Sequence, residues 1–370
     1  MYRNPHCKPA EGSATRSDIA ITDPDFKYPS LWKSNIAADY KFGDGWVATV
    51  ELLYSKDINA IYHDNIGLYR TEQFVNDGGA GNARPYYNGY YSDREGNQKA
   101  ANHVVMLRNT SKGHSLYTTF QLQKNFVDGI LKGLYLNGSY SFGQSRGVTD
   151  GTSSVATSAW KYRAALDGNA EEVGYTAGSF DGRLLLSASY TANWSKYAAT
   201  SFGLIYQRYR PFRYSYCYNG DANGDSQFSN DLMYIPANFD EVKDHLLPGD
   251  FDSQEDAWKA MNAFIEQDPY LSKHRGEYAE RNGAVAPFAN QLDLSVSHDI
   301  KIYQKNGRSH TLRFSFNIAN FLNLLNRNWG VVQTTVLGNQ QYQFLTIPKG
   351  QGPSAANNYT LKYTMAKDLD

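Results

Sequence analysis

Cysteine is nearly missing from this chain of 370 residues: there are two, Cys7 and Cys217. That excludes a disulfide framework and a multi-cysteine metal site. No apolar run approaches the ~18 residues that a membrane-spanning helix requires, which excludes a bundle of such helices. Neither sign of charge dominates, with 36 basic against 37 acidic residues, so nucleic acid is not expected as a partner. The eight histidines show no HExxH or paired spacing and are read as solvated or interfacial side chains. A GxSxG nucleophile elbow is missing. GGAGNAR at 78–84 lacks the preceding strand and following Lys-Ser/Thr of a phosphate loop. Nothing in the sequence assembles a catalytic constellation, so an enzyme is not expected.

Aromatic residues are plentiful: 29 Tyr, 18 Phe and 6 Trp. Many of them fall in segments of strict alternation. In SHTLRFSFNIANF (309–321), Leu312, Phe314, Phe316 and Ile318 alternate with Thr311, Arg313, Ser315 and Asn317. The same period of two runs through Leu116–Gln123, Leu184–Trp194 and Leu292–Ile300, and more weakly through Ile36–Phe42, Trp46–Tyr54, Ile130–Phe142, Tyr197–Tyr209 and Asn357–Met365. These are long strands, beyond the ~5–6 residues usual in globular sheets. Some are joined by tight turns at Gly43–Gly45, Val127–Gly129, Asn193–Lys196 and Lys305–Gly307. Others are joined by long polar loops at about 71–102, 143–182 and 218–290. Within the last loop, Trp258, Met261, Phe264 and Ile265 have the spacing of an amphipathic helix over Asp252–Glu266.

Long strands, short turns alternating with long loops, and aromatics near strand ends (Tyr40, Phe42, Phe126, Tyr140, Phe142, Trp194, Tyr197, Tyr206, Tyr209) together point to an antiparallel transmembrane β-barrel. A cation facing lipid at mid-bilayer would cost about 2–4 kcal/mol. The cations on the even-numbered face are Lys124, Lys132 and Arg208, all near strand ends where that cost fades, whereas the mid-strand Arg313 is odd. Phe314 and Phe316 are therefore expected to face lipid, and Arg313, with Asp293 and Gln121, a polar lumen.

Several blocks, in order and spacing, resemble the C-terminal barrel of TonB-dependent outer-membrane receptors of the Bacteroidota, Oar-like type. They are ITDPDFKYPSLWKSNIAADYKFGDGWVATVELLYSKDINAI (21–61), VVMLRNTSKGHSLYTTFQLQKNF (104–126) with LYLNGSYSFGQSR (134–146), FRYSYCYNGDANGDSQFSNDLMYIP (212–236), LSKHRGEYAERNGAVAPFANQLDLSVSHDI (271–300) and FSFNIANFLNLLNRNWG (314–330). The resemblance implies the later part of a 22-stranded barrel, with about 12 strands present over 34–370 after an irregular segment at 1–33. It implies location in the cell outer membrane in contact with its lipid. It further implies uptake of a large extracellular nutrient of siderophore, glycan or peptide class, and coupling to the TonB complex through an N-terminal plug portion not matched here. The opening residues lack the apolar region of a secretory signal, and MAKDLD lacks a terminal aromatic. Both fit a chain that starts inside such a receptor. Two other readings stand beside it: a plugless channel of 12–14 strands, and a secreted soluble β-sandwich binding module.

In DANGDSQFSND (221–231), Asp221, Asn223 and Asp225 have the spacing at which alternate oxygens meet a calcium ion. Ser226 stands where an EF-hand needs Gly, and Leu232 where it needs Glu, so an Asx-rich turn explains the same residues. Calcium is the one cofactor these residues suggest. Arg275, Glu277, Glu280 and Arg281 read as an ion-pair cluster within a loop that pins it to the barrel rim, and the carboxylates of 240–266 as a solvated face. Tyr86, Tyr87, Tyr90 and Tyr91 form either a ligand platform or loop core. The substrate-binding residues themselves are not legible.

Overall fold

Alternation of the kind seen in 309–321 makes a strand with two unlike faces, and eight such strands build one antiparallel sheet. They are β1 (Leu31–Phe42), β2 (Trp46–Asp57), β3 (His114–Asn125), β4 (Leu134–Gly147), β5 (Arg183–Ser195), β6 (Ala198–Tyr209), β7 (Ala289–Tyr303) and β8 (Ser309–Ile318). In this computed structural model, which describes residues 18–79, 83–90, 103–151, 153–303, 308–334 and 341–367, they lie side by side in sequence order. A two-residue strand, Gly174–Tyr175, adds to the end of β4. Both β1 and β8 pair on one side only among the described residues, so the sheet is open at both edges.

Its two ends differ. At one end β1–β2, β3–β4 and β5–β6 are joined through 43–45, 126–133 and 196–197. Gly43, Gly45 and Gly129 there adopt positive φ (+53°, +83° and +67°), which a side chain would resist. The turn expected at Lys305–Gly307 lies outside the described residues. At the other end the chain makes long excursions through 58–113, 148–182 and 210–288, and continues through 319–367 after β8.

These excursions fold together into a body with its own core. Its largest sheet has five short strands in the order Leu246–Leu247, Tyr363–Met365, Gln341–Thr346, Arg213–Asn219 and Ala284–Val285. A three-stranded sheet places Ile19–Thr22 parallel to Val104–Leu107, with Ala60–Asn65 on the other side. Leu68–Phe74 pairs with Pro85–Tyr90. Met233, Ile235, Val242, Leu246, Leu271 and Phe344 are fully buried in this body. The helix expected from spacing is present. Counting helices in chain order, α1 is Ala156–Lys161 and this one is α2, Gln254–Gln267. The Ser253 hydroxyl caps it by accepting from the Asp256 N–H, and Ala257, Met261 and Ile265 are its buried stripe.

Two expectations change. Among the described residues, the long sheet holds eight long strands of the roughly 12 expected. The alternating segment at Asn357–Met365 supplies only Tyr363–Met365 as strand, buried in the excursion body rather than added to the long sheet.

Candidate functional site

Every register in the long sheet pairs even-numbered residues with even: Val50 with Phe120, Phe120 with Tyr140, Phe202 with Val296, Val296 with Phe316. Parity therefore sorts the faces without a slip, up to a bulge near the end of β5 at Asn193–Ser195. The even face is apolar and uncovered. Ile36, Phe120, Phe314 and Phe316 are 71%, 47%, 59% and 64% exposed. No described strand or helix forms a second layer over it.

Magnitude decides what this means. Eight strands about 4.8 Å apart and roughly 12 residues long make a face well over 1,000 Å². The largest apolar patch on a soluble monomer is about 300–600 Å². Twelve residues at about 3.3 Å each span close to 40 Å, or about 28 Å along the normal at a tilt near 45°, which matches the apolar band of a transmembrane barrel.

The odd face is polar and bonded to itself across strands. Asn35 donates to Glu51 (2.6 Å), Gln121 to Asn137 (2.9 Å) and Tyr135 to Gln123 (2.9 Å). The hydroxyls of Thr119 and Ser141 and of Thr191 and Ser201 pair at 2.9 and 3.0 Å. Arg313 grips Asp299 with two bonds of 2.6 and 2.7 Å. Gln121, Asp293 and Arg313, expected on the lumen side, all lie on this face, opposite the uncovered apolar one.

At the turn end, Tyr40, Phe42 and Trp46 stack in a row with centroids 5.9 and 6.3 Å apart. The Lys124 ammonium sits 5.1 Å from the Trp46 ring and 4.5 Å from that of Phe126. At the excursion end, the Arg208 guanidinium lies 4.5 Å from the Phe288 ring. Lys124 and Arg208 thus stand on aromatic rings at the margins of the apolar face.

In the loop Asp221–Asp231, Asp221 accepts from the N–H groups of Asn223, Gly224 and Ser226. Asp225 accepts from the Gln227 N–H and the Asn223 side chain. Ser226 and Ser229 have φ of +64° and +81°, so this is an Asx-rich turn, buried at Asn223, Asp225, Asn230 and Asp231 and exposed at Ser226 and Phe228. Sequence reading missed its partners. Arg84, wholly buried, bonds Asp77 and Asp231 at 3.0 Å each, donates to the Leu232 carbonyl, and lies between the rings of Tyr218 and Tyr278. Burial raises the Asp225 carboxyl well above its ordinary range, and Asp231 and Asp221 add to the rise. Asp231 is pushed up to about 7 by burial, against the lowering by Arg84. No three His, Cys, Asp or Glu side chains among the described residues are grouped closely enough to hold a metal ion.

The tyrosine cluster is core. Tyr87 is 1% exposed and donates to Asp167 at 2.7 Å, Tyr86 packs on Tyr359, and Tyr90 meets His103 edge to face. Tyr91 lies outside the described residues. Two histidines expected in solvent or at an interface are buried instead, held by hydrogen bonds: His103 to Asn65 and His245 to the Leu361 carbonyl. Arg275, Glu280 and Arg281 do not pair with one another. Arg275 bonds Asn262 of α2, Glu280 pairs with Arg146 near the end of β4, and Arg281 donates to the Gly147 and Val148 carbonyls. Glu280 and Arg281 thus pin the loop to the sheet rim. Among the carboxylates of 240–266, Glu241 is engaged by Tyr234, and Asp256 accepts from the capping Ser253 hydroxyl and pairs with Lys259.

No family model matches the chain, and no curated protein matches it. Among solved structures it is similar to the FrpB iron transporter from Neisseria meningitidis (F3-3 variant), with 8% identity and a TM-score of 0.24 over 80% of this chain and 44% of that one. The chain spans less than half of that transporter. A likeness at that score leaves the assignment to the sheet itself.

Proposed function

We propose that the long sheet is part of the wall of an outer-membrane β-barrel transporter, of the TonB-dependent type that the sequence blocks resemble. The observation that carries this is the uncovered even face, since apolar side chains left in water forfeit about 1.5–3 kcal/mol each and acyl chains are the medium that repays it. The self-bonded odd face then lines the lumen, and the excursion body lies on the outer side, where a nutrient would first be met. TonB coupling and plug displacement belong to further chain outside this one. An eight-stranded barrel is filled by its own side chains, so passage of a large nutrient needs more strands than these. The free edges of β1 and β8 are where they would join, because an unpaired edge in hydrocarbon costs several kcal/mol per group.

The test is the chain's behaviour in water. Purified, it should require detergent or lipid; a monodisperse protein in plain buffer would overturn the reading and favour a soluble binding module. A steady unitary conductance in planar bilayers would favour the closed, plugless channel, whereas the partial wall conducts none.

The calcium reading of Asp221, Asn223 and Asp225 is a second, narrower proposal, resting on charge. Asp77, Asp225 and Asp231 are buried and Asp221 half-buried near them, with Arg84 as their cation, a surplus of negative charge that protons or a hard cation can relieve. The ion would have to displace the N–H donors of the turn. Calcium should raise the thermal midpoint of the wild type at pH 8 and not that of Asp225→Asn; equal responses would end the proposal.

A further inference from the structure

β8 ends at Ile318, opposite Leu294, so the first residues of β7, Ala289–Asp293, have no strand on that side. The chain covers this gap by folding into α3 (Phe321–Leu325). The Asn320 N–H donates to Asp293 at 2.7 Å, and the Asn320 side chain donates to the Gly330 carbonyl at 3.0 Å. Between this cover and the sheet lies a groove of about 500 Å³, lined by Tyr206, Phe288, Asn290, Leu322, Trp329 and Val331. Tyr206 and Asn290 are even-numbered, so the groove opens on the apolar face, and they close its floor with a 2.8 Å hydrogen bond. Trp329 of its lining is 52% exposed, and Leu324 and Leu325 of α3, outside the lining, are 70% and 58% exposed.

A cation stands at this groove. Arg208 is exposed on the apolar face, stacked at 4.5 Å on Phe288, and no carboxylate among the described residues pairs with it. Arg210 stacks on the same ring at 4.2 Å but is engaged by the Ala286 carbonyl and lies 3.9 Å from Asp181. Arg327, in the segment that follows α3, is also exposed without an ion pair among the described residues. A guanidinium at the margin of an acyl-facing surface has its five donors satisfied by water or by an anion. Phosphate is the anion that its fork geometry fits best in that layer.

We propose that this groove seats one lipid whose phosphate headgroup carries net negative charge, with its acyl chain along Leu322, Trp329 and Val331 and its phosphate on Arg208. The proposal rests on the membrane reading above, and it adds a defined lipid site to what would otherwise be a uniform belt.

The test uses the full chain in detergent, with native mass spectrometry after addition of phosphatidic acid or phosphatidylcholine, and with the same chain, spin-labelled at position 316, in phosphatidylcholine vesicles. One phosphatidic acid per chain should be retained, and Arg208→Gln should weaken retention roughly tenfold or more, as for loss of a charge-assisted bond, while the label stays lipid-exposed. Equal retention by wild type and variant would overturn the site, as would equal retention of both lipids. Displacement of the lipid by inorganic phosphate would assign the site to a free anion and also overturn it. A label at 316 that is shielded by protein would instead remove the membrane reading itself.

Discussion

Arg84 shows what a single buried residue does here. It joins Asp77 of the first excursion to Asp231 of the third, with no exposed surface on any of the three side chains beyond 1%. Removing one partner from such a group leaves uncompensated charge, at a cost of about 3–5 kcal/mol. Arg84→Ala should lower the stability of the excursion body by that order, read by loss of the Trp160 and Trp258 fluorescence transition and by faster proteolysis within 58–113. Asp225 makes a pH prediction. Its carboxyl is raised by burial, so the folded state favours the proton. The stability it contributes is complete below the unfolded value of about 4 and is lost as pH rises through the folded value; Asp231, pushed up to about 7, acts in the same direction. Without calcium, the excursion body should melt at lower temperature at pH 8 than at pH 5. Asp225→Asn should reduce that difference, and an unchanged pH profile in the variant would contradict the assignment. None of this was visible in the sequence beyond the Asp/Asn spacing, because Arg84 lies 147 residues from Asp231 and separation of that kind leaves no local pattern.

Among elements, parity makes the sharpest prediction. Phe120 and Gln121 are neighbours on β3, yet one pairs with Val50 and Tyr140 on the apolar face and the other donates to Asn137 on the polar one. Phe120→Lys should cost about 2–4 kcal/mol of folding stability in a bilayer, whereas Gln121→Lys loses one modest hydrogen bond, about 1 kcal/mol. Urea titration of both variants refolded into phosphatidylcholine vesicles measures the difference; equal costs would mean that the register is wrong. The eight long strands were legible because each carries its own alternation. Alternation does not name the medium, however. The segment Asn357–Met365 shows the same pattern, yet Leu361 and Tyr363 are fully buried against protein. Pro85–Tyr90 was illegible for another reason: buried except at Asn88 and Gly89, it reads as a run of tyrosines rather than as an alternation.

At the scale of the whole molecule, an open single-layer sheet and a separate core divide the labour. The excursion body holds the buried core, and the long sheet contributes almost none of it. A soluble protein would place that core against the sheet. This chain leaves the sheet's even face bare and satisfies its odd face by cross-strand hydrogen bonds. The most direct test is site-directed spin labelling of Phe316 and Arg313 in a lipid bilayer. The label at 316 should be reached by oxygen dissolved among acyl chains, and the label at 313 by a water-soluble nickel chelate. Exchanged accessibilities, or a label at 316 shielded from both reagents, would contradict the claim that this face meets lipid.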